Sequence, residues 1–419
     1  MMDSEHNNEP RPRASDAPGA GAGPKGPLSG VKVLDISTVI AGPLSSTLLG
    51  DLGAEVLKVE LPGVGDHLRQ LPPHKDGKSL WSKVANRNKR GITLDLRRPD
   101  GVSLFERLLP RYDVLVENFR PGTLDAWGLG MQRLTQLRPD LIVLRVTGFG
   151  QTGPYRNRPG FARIFEAMSG FVNLCGDRDG PPMYPGFPVS DALTGLFGAY
   201  AIAAALLHRD RNGEGQEIDL SATEAMFRVL DFMAIEYDQL GVVRGRQGNL
   251  NAYSAPSDVY VTLDGKWVAL AVSAPTVFRR LALAMDRTDL LEDEDFNTNA
   301  ARIRNRERIE QITRQWFGAR SMQDVESVLR RHEVSFSPIY DIRDIFSDPH
   351  FADRNMIIPV VDATLGPLRM QGVVPRFSRT PGEVWRAGPE PGEHNDQVYG
   401  DELGIDLQTR ESLERDGVI

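Results

Sequence analysis

The chain reads Pro185-Gly-Phe-Pro-Val-Ser-Asp191 and then Ala-Leu-Thr-Gly-Leu-Phe-Gly-Ala-Tyr-Ala-Ile-Ala-Ala-Ala-Leu-Leu207. A Pro/Gly-rich approach to an alanine-rich apolar run predicts a helix, with Ser190 as its N-cap and Asp191 in its first turn. Unpaired backbone N–H groups and the positive end of the helix dipole would favour the charged carboxylate there. Gly195 and Gly198 permit close approach of other backbone. An ionised acid on such a platform is suited to act as a nucleophile. First-turn acids also support ordinary helices, and this stretch alone does not separate the two readings.

Other candidate groups are sparse. Cys175 is the single cysteine, so neither an intramolecular disulfide nor a thiolate metal cage is expected. Its Leu-Cys-Gly setting reads as a small buried apolar residue. Seven histidines are scattered without an HExxH pair, and no metal site is expected. Gly21-x-Gly23-x-x-Gly26 has the form of a dinucleotide fingerprint but precedes the first strand. Gly148-x-Gly150-x-x-Gly153 does follow a strand, yet Pro154 comes next and no helix opens to receive a pyrophosphate. It reads as a tight turn or a loop passing close to a ligand. Arg163 and Glu166, three apart on a predicted helix, read as a surface ion pair.

The 419 residues, 40% hydrophobic, can bury a large core and form two or three domains. A net charge of -8 with no basic block argues against nucleic-acid binding. No apolar run reaches membrane-spanning length, residues 192–207 being too short and containing glycines, so no membrane partner is expected. Residues 1–27, rich in Gly, Pro, Ala and acidic or amide side chains, are expected to lack order. They have no apolar segment and fit neither a secretory signal nor a transit peptide, which points to a cytoplasmic protein.

Order is predicted from Val31. A strand over 31–37, a helix over 41–50 and a strand over 54–60 form a β-α-β unit, which implies a parallel sheet with a right-handed crossover. Further strands are predicted at 92–96, 113–118 and 141–146, with helices at 99–109 and 161–171. A turn and strand over 213–221 lead into a helix over 222–239. Residues 28–225 are thus read as the first part of a doubly wound, Rossmann-like α/β domain. Residues 226–336 read as a smaller α+β domain with linkers, containing a hairpin over 257–272 with a type I′ turn at Asp264-Gly265. Residues 337–419 are expected to return to the large domain.

Several stretches together resemble the class III CoA transferases, the CaiB/BaiF family of formyl-CoA and carnitine-CoA transferases. They are Val33-Leu-Asp with Ala41-Gly-Pro, Gly53-Ala-Glu-Val-Leu-Lys-Val-Glu60, Asn88-Lys-Arg90 with Leu94-Asp95, and Val116-Glu-Asn-Phe-Arg-Pro-Gly122. The series continues with Thr147-Gly-Phe-Gly-Gln-Thr-Gly-Pro154, Glu166-Ala-Met-Ser-Gly170, Asp191 and Gly213-x-Gly-Gln216. It closes with Asp264-Gly265, Asp348-Pro-His350 and Gly392-Glu-His-Asn395. Each motif is weak alone; the ordered set is specific and spans residues 28–419.

The resemblance implies a Rossmann-like large domain built from both chain ends, a small domain, and two subunits threaded through each other as an interlocked homodimer. It implies a CoA transferase that moves CoA from an acyl-CoA, such as succinyl-CoA, to a carboxylic acid. CoA and acyl-CoA serve as substrates, and no cofactor is tightly bound. Asp191 matches the family's nucleophile, which passes through a mixed anhydride and an aspartyl-CoA thioester, with backbone N–H groups stabilising the developing oxyanions. Gln247, Gly248 and Asn249 match a loop that covers the intermediate. Ile40, Ala41, Leu94, Arg97, Asn118, Phe119, Arg120, Thr147, Gly148, Phe149 and Gly150 align with the CoA-lining segments.

The chain departs from the family pattern in places. Leu61, Ala126 and Thr147 stand where relatives often have a basic residue, leaving Arg90, Arg98 or Arg120 as substitutes at the phosphates. Ile40 stands where some relatives have glutamine, and Ala162 breaks a Gly-Phe-Asp run. The racemase branch of the superfamily uses Gly-His-Asp there; this chain has Gly160-Phe161-Ala162, and phenylalanine cannot exchange a proton. A racemase and a non-catalytic CoA-binding protein are the alternatives. Arg145 and Arg163 suggest a dicarboxylate substrate, since arginine suits carboxylate recognition.

Overall fold

The computed structural model describes residues 25–419. The tail up to residue 24, expected to lack order, and Gly21 and Gly23 of the first glycine motif lie outside the described residues. In chain order come β1 (Lys32–Asp35), helix α1 (Ala41–Asp51), β2 (Glu55–Glu60), β3 (Lys89–Thr93), α2 (Pro99–Leu108), β4 (Val114–Glu117) and β5 (Ile142–Thr147). Then follow α3 (Ala162–Met168), α4 (Val189–Asn212), β6 (Glu217–Ser221) and the short strands β7 (Ser257–Val261), β8 (Trp267–Ala271) and β9 (Phe336–Pro338).

The chain is a mixed α/β protein with a central parallel sheet, and it divides into two compact units. Of the described residues, the first holds those from 25 to Thr147, with Thr194–Leu220 and Ile358–Ile419; the second holds Gly148–Leu193 and Ser221–Ile357. The contiguous boundaries expected at residues 225 and 336 are not where the chain divides. Residues 148–193 group with the second unit because α3 packs on the helix Ala222–Arg228.

In the first unit six strands hydrogen-bond in the order β3-β2-β1-β4-β5-β6. The pairs β1–β2, β1–β4, β2–β3 and β4–β5 are parallel. Alternate residues feed opposite faces, as the two-residue period of a strand requires. Leu34, Leu57, Leu115 and Val143 join one buried cluster with Phe105 of α2. Val33, Val56, Val114 and Ile142 join another with Ile202, Ala205 and Leu206 of α4. The C-terminal residues Val398, Tyr399, Leu403 and Ile405 complete the first cluster, and the Tyr399 hydroxyl donates to the Thr93 carbonyl at 2.6 Å.

The strand predicted at 92–96 begins earlier, at Lys89. Its two leading cations hid it from an apolarity argument, but Asp35 accepts from the Lys89 ammonium at 2.9 Å. It also ends earlier, because the Asp95 amide turns away to the Val418 carbonyl at 2.8 Å.

Helix α4 is longer than the predicted run, with 24 residues. By length and composition alone it could cross a membrane. However, Ile202, Ala205 and Leu206 bury one face of it in the core of the sheet unit. A side chain at Gly195 would come within 2.8 Å of Leu44, and one at Gly198 would strike Ser45. Both contacts lie on α1, so glycine sets how near the two helices come.

In the second unit β9, β8 and β7 form an antiparallel sheet, covered by Phe278, Leu281, Trp316 and Phe317. The predicted hairpin forms with a different turn. Only Gly265 has positive φ (75°), whereas type I′ needs it at both central residues. The Asp264 carboxylate instead accepts from the Thr262 hydroxyl at 2.6 Å and the Met322 amide at 2.9 Å. The helix predicted over 222–239 is two helices, Ala222–Arg228 and Met233–Leu240, interrupted where Asp231 takes a left-handed φ of 53°.

Gly195→Val tests the close approach. Overpacking against Leu44 should lower the unfolding free energy by about 1–3 kcal/mol, read as an earlier urea midpoint. A variant as stable as the parent would disprove the contact.

Candidate active site

Helix α4 starts at Val189, two residues earlier than expected, so Ser190 lies inside the first turn and is not the N-cap. The Ser190 amide is one of the orphan donors of a helix start. Its acceptor is a carboxylate from elsewhere in the second unit, Glu166 Oε1 of α3, at 3.1 Å. Glu166 is 1% exposed. The surface pair expected with Arg163 does not form: no ion pair joins them among the described residues. The Arg163 guanidinium lies 4.8 Å over the Tyr184 ring, and the Tyr184 hydroxyl donates to the Arg163 carbonyl at 3.2 Å.

Asp191 therefore has a carboxylate neighbour in Glu166. Burial, followed by the Glu166 charge, pushes its pKa up to about 6. The helix dipole, expected to favour ionisation strongly, is outweighed. A carboxylate with this pKa is still mostly ionised at pH 7, but it is more basic and less solvated than an ordinary aspartate. Sequence reading missed Glu166, because nothing in the spacing of Arg163 and Glu166 separates a surface pair from one buried acid and one free cation.

The second glycine motif is structural in part. A side chain at Gly148 would strike the Phe165 ring, and one at Gly160 would come within 2.5 Å of it. The Gly148 carbonyl accepts from the Thr223 hydroxyl at 2.8 Å and from the Thr223 amide at 3.2 Å. The Phe149 ring packs edge-on against Phe165 with centroids 5.5 Å apart, and Gly150 (φ 88°) turns the chain. The motif seats α3 beneath Glu166. Gln247, Gly248 and Asn249 are exposed in the second unit; Gly248 adopts φ 60° and its amide donates to the Gly176 carbonyl at 3.0 Å.

The first unit contains a cavity of about 320 Å³ at the carboxyl ends of β1, β2 and β3. Leu94, Arg97 and Phe119, three of the expected CoA-lining residues, face it, with Trp127 set edge-on to Phe119 at 5.0 Å. Lys58, Glu60, Asp66, His67 and Gln70 line it too and were not picked out beforehand. A visible signal existed, since Lys58 and Glu60 are charges that interrupt the apolar run Val56, Leu57 and Val59 of β2. Asn118 holds the adjoining turn: its side chain accepts from the Thr38 amide and donates to the Thr38 carbonyl, both at 2.7 Å. Ile40 turns inward against Leu68 and Ala85, and Ala41 opens α1. Arg120 is exposed, and Thr147 ends β5 partly buried.

The arginines differ in availability. Arg97 grips Asp95 through Nε and Nη2, at 2.7 and 2.8 Å, yet its side chain remains largely exposed. Arg90 is held by Glu402, and Arg98 lies 3.6 Å from Asp95. Arg145 is occupied by Glu117 at 2.8 Å and Glu217 at 2.9 Å, so it is not the substrate-carboxylate residue suggested by its position in the chain. Arg163 is exposed and, among the described residues, has no carboxylate partner; its guanidinium lies over Tyr184.

The chain is similar to known proteins along most of its length. The sequence profile described as CoA-transferase family III matches residues 28–395. A protein of Chloroflexus aurantiacus named succinyl-CoA–D-citramalate CoA-transferase is 42% identical over 383 residues, covering 91% of this chain and 95% of its own. One of Agrobacterium fabrum named succinate–glutarate CoA-transferase is 36% identical over 390 residues, covering 90% and 96%. A crystal structure of a CaiB/BaiF family protein from Brucella suis superposes with TM-score 0.81 at 33% identity, covering 90% of this chain and 99% of that one.

Replacing Glu166 by Gln removes the like charge beside Asp191. The Asp191 midpoint should then fall from about 6 towards the ordinary carboxylate range. Carboxyl-carbon NMR titration reads this directly, and an unmoved midpoint would show that burial alone sets it.

Proposed function

The chain belongs to CoA-transferase family III and is a CoA transferase, and from that premise we propose that it moves CoA from succinyl-CoA to a second dicarboxylic acid by nucleophilic catalysis at Asp191. The single observation that carries the mechanism is the partly buried Asp191 carboxylate with its pKa near 6 beside Glu166.

In the first step an Asp191 oxygen attacks the thioester carbonyl. The C–S bond breaks, CoA leaves as thiolate, and a mixed anhydride remains. The thiolate then attacks the Asp191 carbonyl, giving aspartyl-CoA thioester and freeing the donor acid. The acceptor carboxylate displaces CoA from this thioester, forming a new anhydride. Thiolate attack on its acyl carbon releases the product thioester and restores the Asp191 carboxylate. No net proton is exchanged, so no general acid or base is required. Acylation removes the negative charge from Asp191 and so relieves its repulsion with Glu166, a gain realised as the nucleophile reacts. Phe161, at the position where racemases need a titratable group, supports transfer over proton exchange.

We assign the CoA nucleotide to the cavity lined by Leu94, Phe119 and Trp127, whose aromatic and aliphatic walls suit a purine and whose rim carries Arg97. The loop Gln247–Asn249 is assigned to cover the acylated Asp191. The dicarboxylate class rests on the succinate, citramalate and glutarate in the relatives' names and on Arg163, which is exposed and stacks on Tyr184. The strand order supports a Rossmann-like reading of the large domain. An interlocked homodimer is supported by the apolar stripe Leu196, Tyr200, Ala203 and Leu207 on α4, with Tyr200 71% exposed. We place the enzyme in the cytoplasm, where CoA thioesters are available.

Incubation with succinyl-CoA and a mixed panel of acids, with products read by mass spectrometry, should yield new thioesters chiefly of dicarboxylates. Asp191→Ala should lose at least about 10³-fold of the exchange rate; full retention would overturn the assignment. Since Asp191 must be ionised to attack, kcat/KM should be level near pH 7 and fall as pH drops through about 6. A profile flat down to pH 4 would contradict this role.

A further inference from the structure

Val39 has a backbone φ of 67°. Left-handed backbone is rare for any residue with a side chain, and for a β-branched one it is a genuine outlier. Such a conformation persists only where the surroundings hold it, and it accumulates at functional positions. Here the hold comes from one carboxylate: the Val39 amide donates to Asp66 Oδ1 at 3.0 Å and to Oδ2 at 3.1 Å. The Val39 side chain meanwhile packs against the small buried group of Ile40, Leu68 and Ala85. A glycine there would accept the backbone angle but leave that contact empty.

The same carboxylate has a second task. Asp66 Oδ1 accepts from the Leu68 amide at 2.9 Å, capping the short helical turn His67–Gln70. Thr38, His67 and Gln70 all line the cavity. Asp66 thus joins two stretches of backbone that line it. Its charge is balanced by the fully buried Lys58 ammonium at 3.5 Å, and its own amide is fixed by Glu60 Oε2 at 2.7 Å. Asn118 clamps Thr38 next door, so the turn between β1 and α1 is held on both flanks.

We propose that Asp66 is a positioning residue for CoA binding: by holding Val39 in its left-handed conformation and capping the His67–Gln70 turn, it sets the width of the cavity. This rests on the reading of that cavity as the CoA nucleotide site. The held conformation disfavours other arrangements of the turn, so the cavity is formed before the ligand arrives. Loss of the hold raises KM for the acyl-CoA and leaves kcat and KM for the acceptor acid nearly unchanged, the pattern of a lost uniform binding interaction.

The test combines Asp66→Asn, Asp66→Glu, Val39→Gly and the double variant Val39→Gly/Asp66→Asn, using steady-state kinetics and calorimetric titration with CoA. Asp66→Asn should raise KM for acyl-CoA by about 10-fold or more, with kcat within about 3-fold. Asp66→Glu keeps the charge beside Lys58, so it serves if the Asn variant does not fold. Its extra methylene misplaces both hydrogen bonds, and KM should rise by about 5-fold or more. Glycine adopts positive φ without being held, so Val39→Gly should recover most of the affinity lost in Asp66→Asn. A wild-type KM in both Asp66 variants, or no recovery in the double variant, would overturn the proposal. Leu94→Trp, which fills the cavity, separates this from failure of the site assignment. If Leu94→Trp leaves CoA binding unchanged, CoA binds elsewhere. If it abolishes binding while the Asp66 variants do nothing, the positioning role alone fails.

Discussion

The sheet unit is organised around charges that have no contact with water. Asp35 ends β1, Lys58 lies within β2 and Lys89 opens β3, and all three are fully buried on adjacent strands. Asp35 stands directly beside Lys58 in the parallel register of β1 and β2. Burial opposes its ionisation, but the Lys58 and Lys89 ammonium groups and the Ser37 and Ser46 hydroxyls prevail and hold it well below the usual carboxylate range. Lys89 is pulled down to about 8 by burial, with Asp35 acting against that shift. It is satisfied by three acceptors: Asp35 at 2.9 Å, the Pro43 carbonyl at 2.7 Å and Asn86 at 3.0 Å. Removing one member of such a group leaves an uncompensated charge, at a cost of about 3–5 kcal/mol. A one-residue slip of any strand would do the same. The cluster therefore selects the register and ties β1, β2, β3 and the start of α1 together.

From that anchor the cavity follows. Lys58 reaches past Asp35 to Asp66, and Asp66 fixes the turn between β1 and α1. Ligands of open α/β sheets bind beyond the carboxyl ends of the strands, where neighbouring crossovers diverge. That is where β1 and β4 send their loops apart in this sheet. The polar residues lining the cavity belong to the network that holds the strands in register. The same buried charges thus hold the strands together and line the cavity.

Asp191 poses a different electrostatic problem. Here two carboxylates are brought together, and among the described residues no ion pair with a lysine or arginine joins either. The Ser190 amide offsets part of the Glu166 charge, while burial first and the Glu166 charge second raise the proton affinity of Asp191. The first unit uses opposite charges to lock backbone in place, whereas in the second burial and a like charge raise the proton affinity of one carboxylate. Both need burial, because the same interactions in water would be worth little.

Much of this could be read along the chain. The alternation of apolar strands with short helices determined a parallel α/β sheet, because strands buried on both faces must be apolar throughout. Asp191, an ordinary first-turn acid by its local sequence, stood out only through the ordered motifs on both sides of it. The ordered motifs determined the family. Residues whose meaning depends on partners far away in sequence were not legible. Lys89 began a strand only because Asp35 receives its charge, and Glu166 was buried only because Ser190 lies opposite. Arg145 was taken by two glutamates, while Arg163, equally cationic, was left exposed. The cavity joins side chains from residue 36 to residue 127. Local sequence sets backbone preference and periodicity, which act over a few residues. Pairing of charges, like the conformation of Val39, is decided by desolvation and contact, which exist only once the chain has folded.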